Sequence, residues 1–412
     1  MRNWMMMAAF AGLVVLGSTA LFTGPRAAAQ EAEKKQPTAG KSAKELSRAN
    51  NQFGFEVLKQ VHEEGKNTFI SPTSIGMCLQ MVTRGAKGDT LKEMNDTMHV
   101  SKLEVGQANR ELLDAMSDRE DLKLNLANSV WVNPNMLTLN RDYADKVQKD
   151  FDAQIEARDF ADPATLEEIN GWVSDRTNKK IPELLKDLSP DAAAVLVNAI
   201  YFKGEWTLKF DKEKTKEADF TAADGKAAKV QMMENEDEYR YMQTDDAQWI
   251  ALDYGADRKL SMWVMLPNQG KKLDTLVKKL DTMSFQTATE RAWEREGTIR
   301  LPRFKMKFRK ELQDDLKTMG MKKAFQADAD FSGFVEGKDG KLFISKVIHE
   351  SFIEVNEEGT EAAAATAVVM EKGMPPAPFN MTCDRPFLVA IQDKVSGSIL
   401  FLGTVYDIGT TD

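Results

Sequence analysis

The side chains able to do chemistry are few. Three histidines, His62, His99 and His349, and two cysteines, Cys78 and Cys383, stand among 412 residues. His62 is followed by Glu63-Glu64-Gly65-Lys66, which is not the HExxH spacing that sets two imidazoles on one zinc ion. No Gly-x-Ser-x-Gly turn is present to expose a serine nucleophile. Gly333-Phe334-Val335-Glu336-Gly337-Lys338 is one residue short of a phosphate-cradling loop, and Asp339 stands where that loop needs a hydroxyl. No cysteine–histidine cluster has metal-ligand spacing. A serine–histidine–aspartate triad has no spacing of its own, and nothing marks one. The expectation is a protein that is not an enzyme and holds no metal or cofactor.

The cysteines point the same way. Cys78 lies in ISPTSIGMCLQMV and Cys383 in FNMTCDRPFLV, both apolar settings. An exported protein could pair them, but two buried free thiols is the preferred reading, because a chain of this length needs no staple.

The chain is 42% hydrophobic and 29% charged, a globular profile with enough chain for a large core. No Pro/Gly/Ser tract divides it after residue 45, which favours one large domain. The N-terminus stands apart. Arg2 precedes an apolar run from Met5 to Leu16 that is too short to span a bilayer, and Ala27-Ala28-Ala29 stands before Gln30. Residues 1–29 therefore read as a signal peptide, with an uncleaved membrane anchor as the alternative. Residues 30–45 are polar and read as a flexible tether, leaving 46–412 as the folded domain. The expected location is secreted or extracytoplasmic, in the extracellular space or the periplasm. Cleavage removes Arg2 and Arg26 and no acid, so the charge moves from −9 to −11. An acidic product is a poor nucleic-acid partner, and no Lys/Arg cluster suggests a heparin-type site.

The elements that would position any site follow from periodicity. Ser47–Glu64 has helical spacing of Phe53, Val57, Leu58 and Val61. Ser71-Pro72 opens an apolar helix to Thr83. Leu122–Val132 reads as a buried strand, Thr165–Asn178 as an amphipathic helix and Ala193–Lys203 as a strand buried on both faces. Short strands are expected at 230–233, 239–242, 249–254 and 260–266, and again at 299–308, 351–355, 387–391 and 398–404. Lys310–Met319 reads as a helix ended by Gly320. Many strands with interspersed helices and no regular alternation predict a mixed α+β protein.

One segment fits no element. Glu354–Met374 crosses an acidic stretch, runs Thr360-Glu361-Ala362-Ala363-Ala364-Ala365-Thr366-Ala367-Val368-Val369, and meets Pro375, Pro376 and Pro378. Alanine favours helix, whereas Thr366, Val368 and Val369 are β-branched and favour strand. Too few large apolar side chains are present to anchor a core helix. Thr360, Ala362, Ala364 and Thr366 would share one face of a strand, small enough to enter a packed interior.

With that segment in view, the chain from about Asn51 to Ile408 resembles the serpins. The matching blocks run in order: NTFISPTSI, RGAKGDTLKEM, LANSVWV, INGWVSDRTNKKI, LVNAIYFKGEWTLKF, LPRFKMKF, EVNEEGTEAAAATAVV and DRPFLVAI. The likeness is to a bacterial-type secreted member. It implies a serpin fold of three β-sheets with about nine helices and an exposed reactive-centre loop. It also implies a monomeric, single-use trap for a target serine protease, in a covalent 1:1 complex, with cysteine proteases as a second target class. The cut loop enters the central sheet as an added strand.

Residue by residue, the resemblance makes Glu357, Glu358, Gly359, Thr360, Glu361, Ala362, Ala363, Ala364, Ala365, Thr366 and Ala367 the loop hinge. Thr360, Ala362, Ala364 and Thr366 form its inward face. Ser71, Ser74, Asn198 and His349 match a polar cluster beneath the opening sheet, and Trp206 the aromatic where the loop enters. Arg303 and Glu357 match a pair at the hinge base, worth about 0–1 kcal/mol if exposed. Family spacing puts the reactive bond between Gly373 and Met374, with cuts after Lys372 or after Met374 as alternatives. A non-inhibitory member acting as carrier or chaperone is the competing reading. It would tolerate bulky, charged or proline residues in the hinge, and this hinge has no proline and no bulky inward residue.

Overall fold

The computed structural model describes residues 39–117, 122–337, 342–359 and 377–408. The expected signal peptide, tether residues 30–38, and the loop residues from Thr360 to Ala367 with Lys372, Gly373 and Met374 lie outside them.

Helix α1 (Lys41–Val61) turns Ala43, Leu46, Phe53, Val57 and Leu58 onto one buried stripe. It opens at Lys41, so residues 41–45 are helical and not tether, because Ala43 and Leu46 dock on the core. Strand β1 (Thr68–Ile70) leads into α2 (Pro72–Thr83). Ser71 caps α2 by accepting from the Ser74 N–H at 3.2 Å, and Pro72 fills the first helical position. Then come α3 (Gly88–Thr97), α4 (Val105–Ser117), β2 (Leu122–Val132), α5 (Arg141–Phe151), β3 (Ala153–Ala157) and α6 (Pro163–Arg176). The Asp162 carboxylate caps α6 by accepting from the Ala164 N–H at 2.9 Å. After β4 (Ala194–Gly204) the chain is rich in strands: β5 (Lys216–Thr221), β6 (Ala227–Gln243), β7 (Ala247–Tyr254) and β8 (Leu260–Pro267). Helices α7 (Leu273–Lys279) and α8 (Thr282–Arg291) precede β9 (Trp293–Pro302), β10 (Phe304–Glu311) and α9 (Gln313–Thr318). The chain closes with β11 (Ile348–Val355), β12 (Phe379–Thr382), β13 (Phe387–Asp393) and β14 (Ile399–Val405).

Nine helices and three hydrogen-bonded sheets among the described residues make the expected α+β architecture. The largest sheet runs β1-β14-β13-β8-β7-β6-β9-β12, with β5 beside β6. Every residue of β8 and β14 is buried, as a strand covered on both faces requires. A three-stranded sheet, β3-β2-β4, and a two-stranded one, β10-β11, complete the set.

Several boundaries differ from expectation. The two short strands at 230–233 and 239–242 are one long strand, β6. The strand expected over 299–308 breaks at Arg303, and its halves join different sheets. The helix expected from Lys310 begins only at Gln313, because Lys310 and Glu311 still pair with His349 and Ile348. Strand β4 is not buried on both faces, since Val195, Leu196 and Phe202 are half-exposed. Both cysteines are free thiols, Cys383 buried and Cys78 half-buried, and burial pushes the Cys78 thiol up to about 12.

Candidate functional site

Strands β4 and β11 face each other across a cavity, and their C-terminal ends come together at Trp206 and Asn356. The Trp206 indole N–H donates to the Asn356 carbonyl at 2.8 Å. Among the described residues no ladder joins the two strands: β4 pairs only with β2, and β11 only with β10. Among the described residues no strand pairs with the edge that each turns towards the other, and a strand edge is a template for another strand. Between their C-terminal halves lies a cavity of about 250 Å³. Tyr201, Phe202 and Lys203 line it from β4, Phe352, Ile353 and Glu354 from β11, and Trp206 and Tyr254 stand at its end.

Among the described residues, hydrogen bonds that involve side chains bridge this seam. The start of α2 lies beneath it. The Ser71 N–H donates to His349 Nε2 of β11 at 3.2 Å. One turn on, the Ser74 hydroxyl donates to Asn198 Oδ1 of β4. Asn198 Nδ2 donates to Asn128 Oδ1 of β2 at 2.6 Å, and Asn128 Nδ2 to the Phe151 carbonyl at 2.7 Å. A polar chain thus crosses from one sheet to the other.

His349 is 5% exposed, and burial pushes its imidazole down to about 4 from the usual 6.5. Nε2 accepts a hydrogen bond, so the ring is neutral and its proton sits on Nδ1. The unfolded chain takes up a proton near pH 6.5 and the native chain does not, so stability is lost as pH falls from 6.5 towards 4. The loss from this site is about 3 kcal/mol by pH 4. Urea unfolding at pH 7 and pH 4 should show that share of the decrease vanish in His349→Gln. An identical decrease in both proteins would show that His349 does not titrate this way.

The hinge base is built at the strands' common end. Asn356–Gly359 form a tight turn in which the Gly359 N–H donates to the Asn356 carbonyl at 3.3 Å. Gly359 has φ +55°, and a Cβ there would lie 2.1 Å from the Trp206 nitrogen, so only glycine fits. The Glu357 side chain is 3% exposed and takes Arg303 at 2.5 to 2.9 Å and the Thr215 hydroxyl at 2.5 Å. Burial raises its carboxyl, but the Arg303 guanidinium and Thr215 hydroxyl outweigh that and hold it below the usual carboxylate range. The pair matched from the resemblance, which would be worth little if exposed, is a buried carboxylate under a half-exposed arginine. Arg303 reaches it because the chain breaks there between β9 and β10. Beside it Lys212 pairs with Glu358.

The structure brings Ser71, Ser74, Asn198 and His349 into one chain of hydrogen bonds. It places Trp206 apart, stacked on Tyr254 at 4.3 Å at the hinge base. Sequence reasoning missed Asn128, Thr215 and Ser351, whose hydroxyl donates to the Phe69 carbonyl at 2.5 Å. The Asn128 signal was a lone amide inside the apolar run LANSVWV.

Comparison with known proteins agrees with this geometry. The family described as Serpin (serine protease inhibitor) matches residues 48–408. Human Serpin B4 is 36% identical over 385 residues, covering 87% of this chain and 98% of its own. The leukocyte elastase inhibitor of Bos taurus is 36% identical over 374 residues, with the same coverage, 87% and 98%. Among solved structures, the thermophilic serpin tengpin in its native state superposes with a TM-score of 0.79 at 29% identity, covering 88% of this chain and 94% of tengpin.

Proposed function

The chain belongs to the serpin family, protease inhibitors and not enzymes, and we propose that it is a suicide substrate for a serine protease. The protease attacks the segment following Gly359 as if it were substrate. The cut segment enters between β4 and β11, carrying the acyl-enzyme with it, and the distorted protease cannot complete hydrolysis. The reactive bond is Gly373–Met374 or one of its neighbours. We read the chain as exported and acting as a monomer, one molecule per protease, with cysteine proteases as a second target class.

The observation that carries this reading is the seam. Two strands face each other across a cavity, bridged by polar side chains, with the hinge turn at their common end. A strand returning from that turn would run antiparallel to both and could pair with each edge. On this reading the added strand gains pairing on both sides, so insertion is downhill once the loop is cut.

Incubation with trypsin-, elastase-, chymotrypsin- and subtilisin-like enzymes tests it. The expected result is a covalent complex that survives SDS with at least one of them. Cleavage between 371 and 375 with no complex from any of the four would favour the carrier reading instead.

A further inference from the structure

The seam has two faces, and different structures cross them. Side chains alternate along β11, so His349, Ser351 and Ile353 turn towards α2 and the core, while Glu350, Phe352 and Glu354 turn to the other face. Across that second face runs the connector from Thr177 to Asp191, between α6 and β4.

The connector is fastened differently on its two sides. On the β4 side the contacts are apolar and numerous. Ile181, Leu184 and Leu185 are buried with Trp131 of β2, Val197 of β4 and Ile169 and Val173 of α6. Asn170 of α6 accepts from the Leu184 and Leu185 N–H groups at 2.9 and 2.8 Å. Helix α6, the connector, β2 and β4 thus form one packed unit.

On the β11 side Ile348 packs against the same cluster, and the other fastenings are polar. Lys180 Nζ meets Glu354 at 3.3 Å and lies 4.9 Å above the Phe352 ring. Lys346 meets Asp187 at 2.9 Å. Between them Arg309 Nη1 donates to the Leu184 carbonyl at 2.6 Å and to Glu350 at 2.7 Å. The Glu350 side chain is 1% exposed, and Lys307 approaches its other oxygen at 2.9 Å. One guanidinium therefore ties the connector's backbone to a buried carboxylate on the far side of the seam.

A strand entering between β4 and β11 must pass beneath this strap. We propose that Arg309 is a positioning residue that sets how fast the seam admits a strand, by clasping the Leu184 carbonyl to Glu350. The proposal rests on the insertion reading above and goes beyond it. The apolar unit slides as a body, and the polar clasps are what must part. Polar contacts let go abruptly once geometry is lost, whereas apolar packing tolerates sliding, so the barrier lies on the β11 side.

The test uses the intact exported protein and a synthetic peptide of residues Thr360–Val369, with uptake followed by native gel shift. Arg309→Met should take up peptide about tenfold faster than wild type. Arg309→Lys keeps a charge for Glu350 but not the planar fork, and should fall between the two. Should Arg309→Met not fold, Lys180→Met combined with Asp187→Asn weakens the outer clasps at more exposed positions. It should quicken uptake about threefold. A purely structural arginine would lower the melting temperature and leave uptake unchanged, which would overturn the proposal. So would an absence of uptake by every form. The inhibitory reading is judged separately, by covalent complexes with proteases. Complexes with an unaltered uptake rate in the variants would remove this inference alone, and altered uptake without complexes would remove only the inhibitory reading.

Discussion

Thr360→Arg is expected to turn the protein from an inhibitor of its target protease into a substrate. With the Gly359 N–H donating to the Asn356 carbonyl, a chain returning as a strand would set residue 360 opposite Val355. Paired residues in an antiparallel hairpin share a face. Val355, Ile353 and Ser351 are buried on the core side of β11, so residues 360, 362 and 364 of an inserted strand would face the core. An arginine arriving there finds no carboxylate among Val355, Ile353, Ser351 and His349. Burying it unpaired costs several kcal/mol. Raising the insertion barrier by about 3 kcal/mol slows insertion roughly a hundredfold. Hydrolysis of the acyl-enzyme then wins the race. Cleavage of the loop should proceed at the wild-type rate while the covalent complex disappears. Undiminished complex formation would show that residue 360 does not face inward. Thr360→Ser, small and neutral, should inhibit as wild type does.

Much of this was legible in the sequence, and the parts that were not share a physical cause. Apolar spacing reports which faces of an element are covered. It located α1, α2, α6 and the strands of the core, because Phe53, Ile169 and Val264 are placed by burial alone. It cannot report which edge of a strand is hydrogen-bonded. AAVLVNAIYFK reads the same whether β4 has one neighbour or two, so the facing of β4 and β11 across the cavity was not legible. Alternation also says nothing of where a strand changes sheets. The break at Arg303 follows Pro302, which has no N–H to continue the ladder, and it delivers the guanidinium to Glu357. The polar cluster was half legible. Ser71 shows itself as a helix cap and His349 as a lone imidazole, but only the folded chain joins them through Ser74 and Asn198 to Asn128.

The second large effect belongs to Glu357. Glu357→Lys should destabilise the native protein by about 3–5 kcal/mol, the range for leaving a buried pair with one partner, towards the lower end because Arg303 is half-exposed. The substitution removes the carboxylate that Arg303 and Thr215 hold and sets an ammonium against the guanidinium. The Phe210 N–H still donates to the residue's carbonyl, so the backbone anchor survives. What loosens is the tie between the hinge turn and the break from β9 to β10. The melting temperature should fall, and inhibitory capacity should decay on storage at 37 °C faster than in wild type, as uncut loop enters an unguarded seam. Glu357→Gln keeps a hydrogen-bonding side chain of the same shape and should show a smaller loss. The decisive comparison is charge reversal. Arg303→Glu with Glu357→Lys restores an ion pair in the opposite sense and should recover part of the stability lost by either single variant. If the double variant is only as stable as the summed single losses predict, the pair does not act as a unit. The hinge would then be held by its backbone contacts to Trp206 and Phe210.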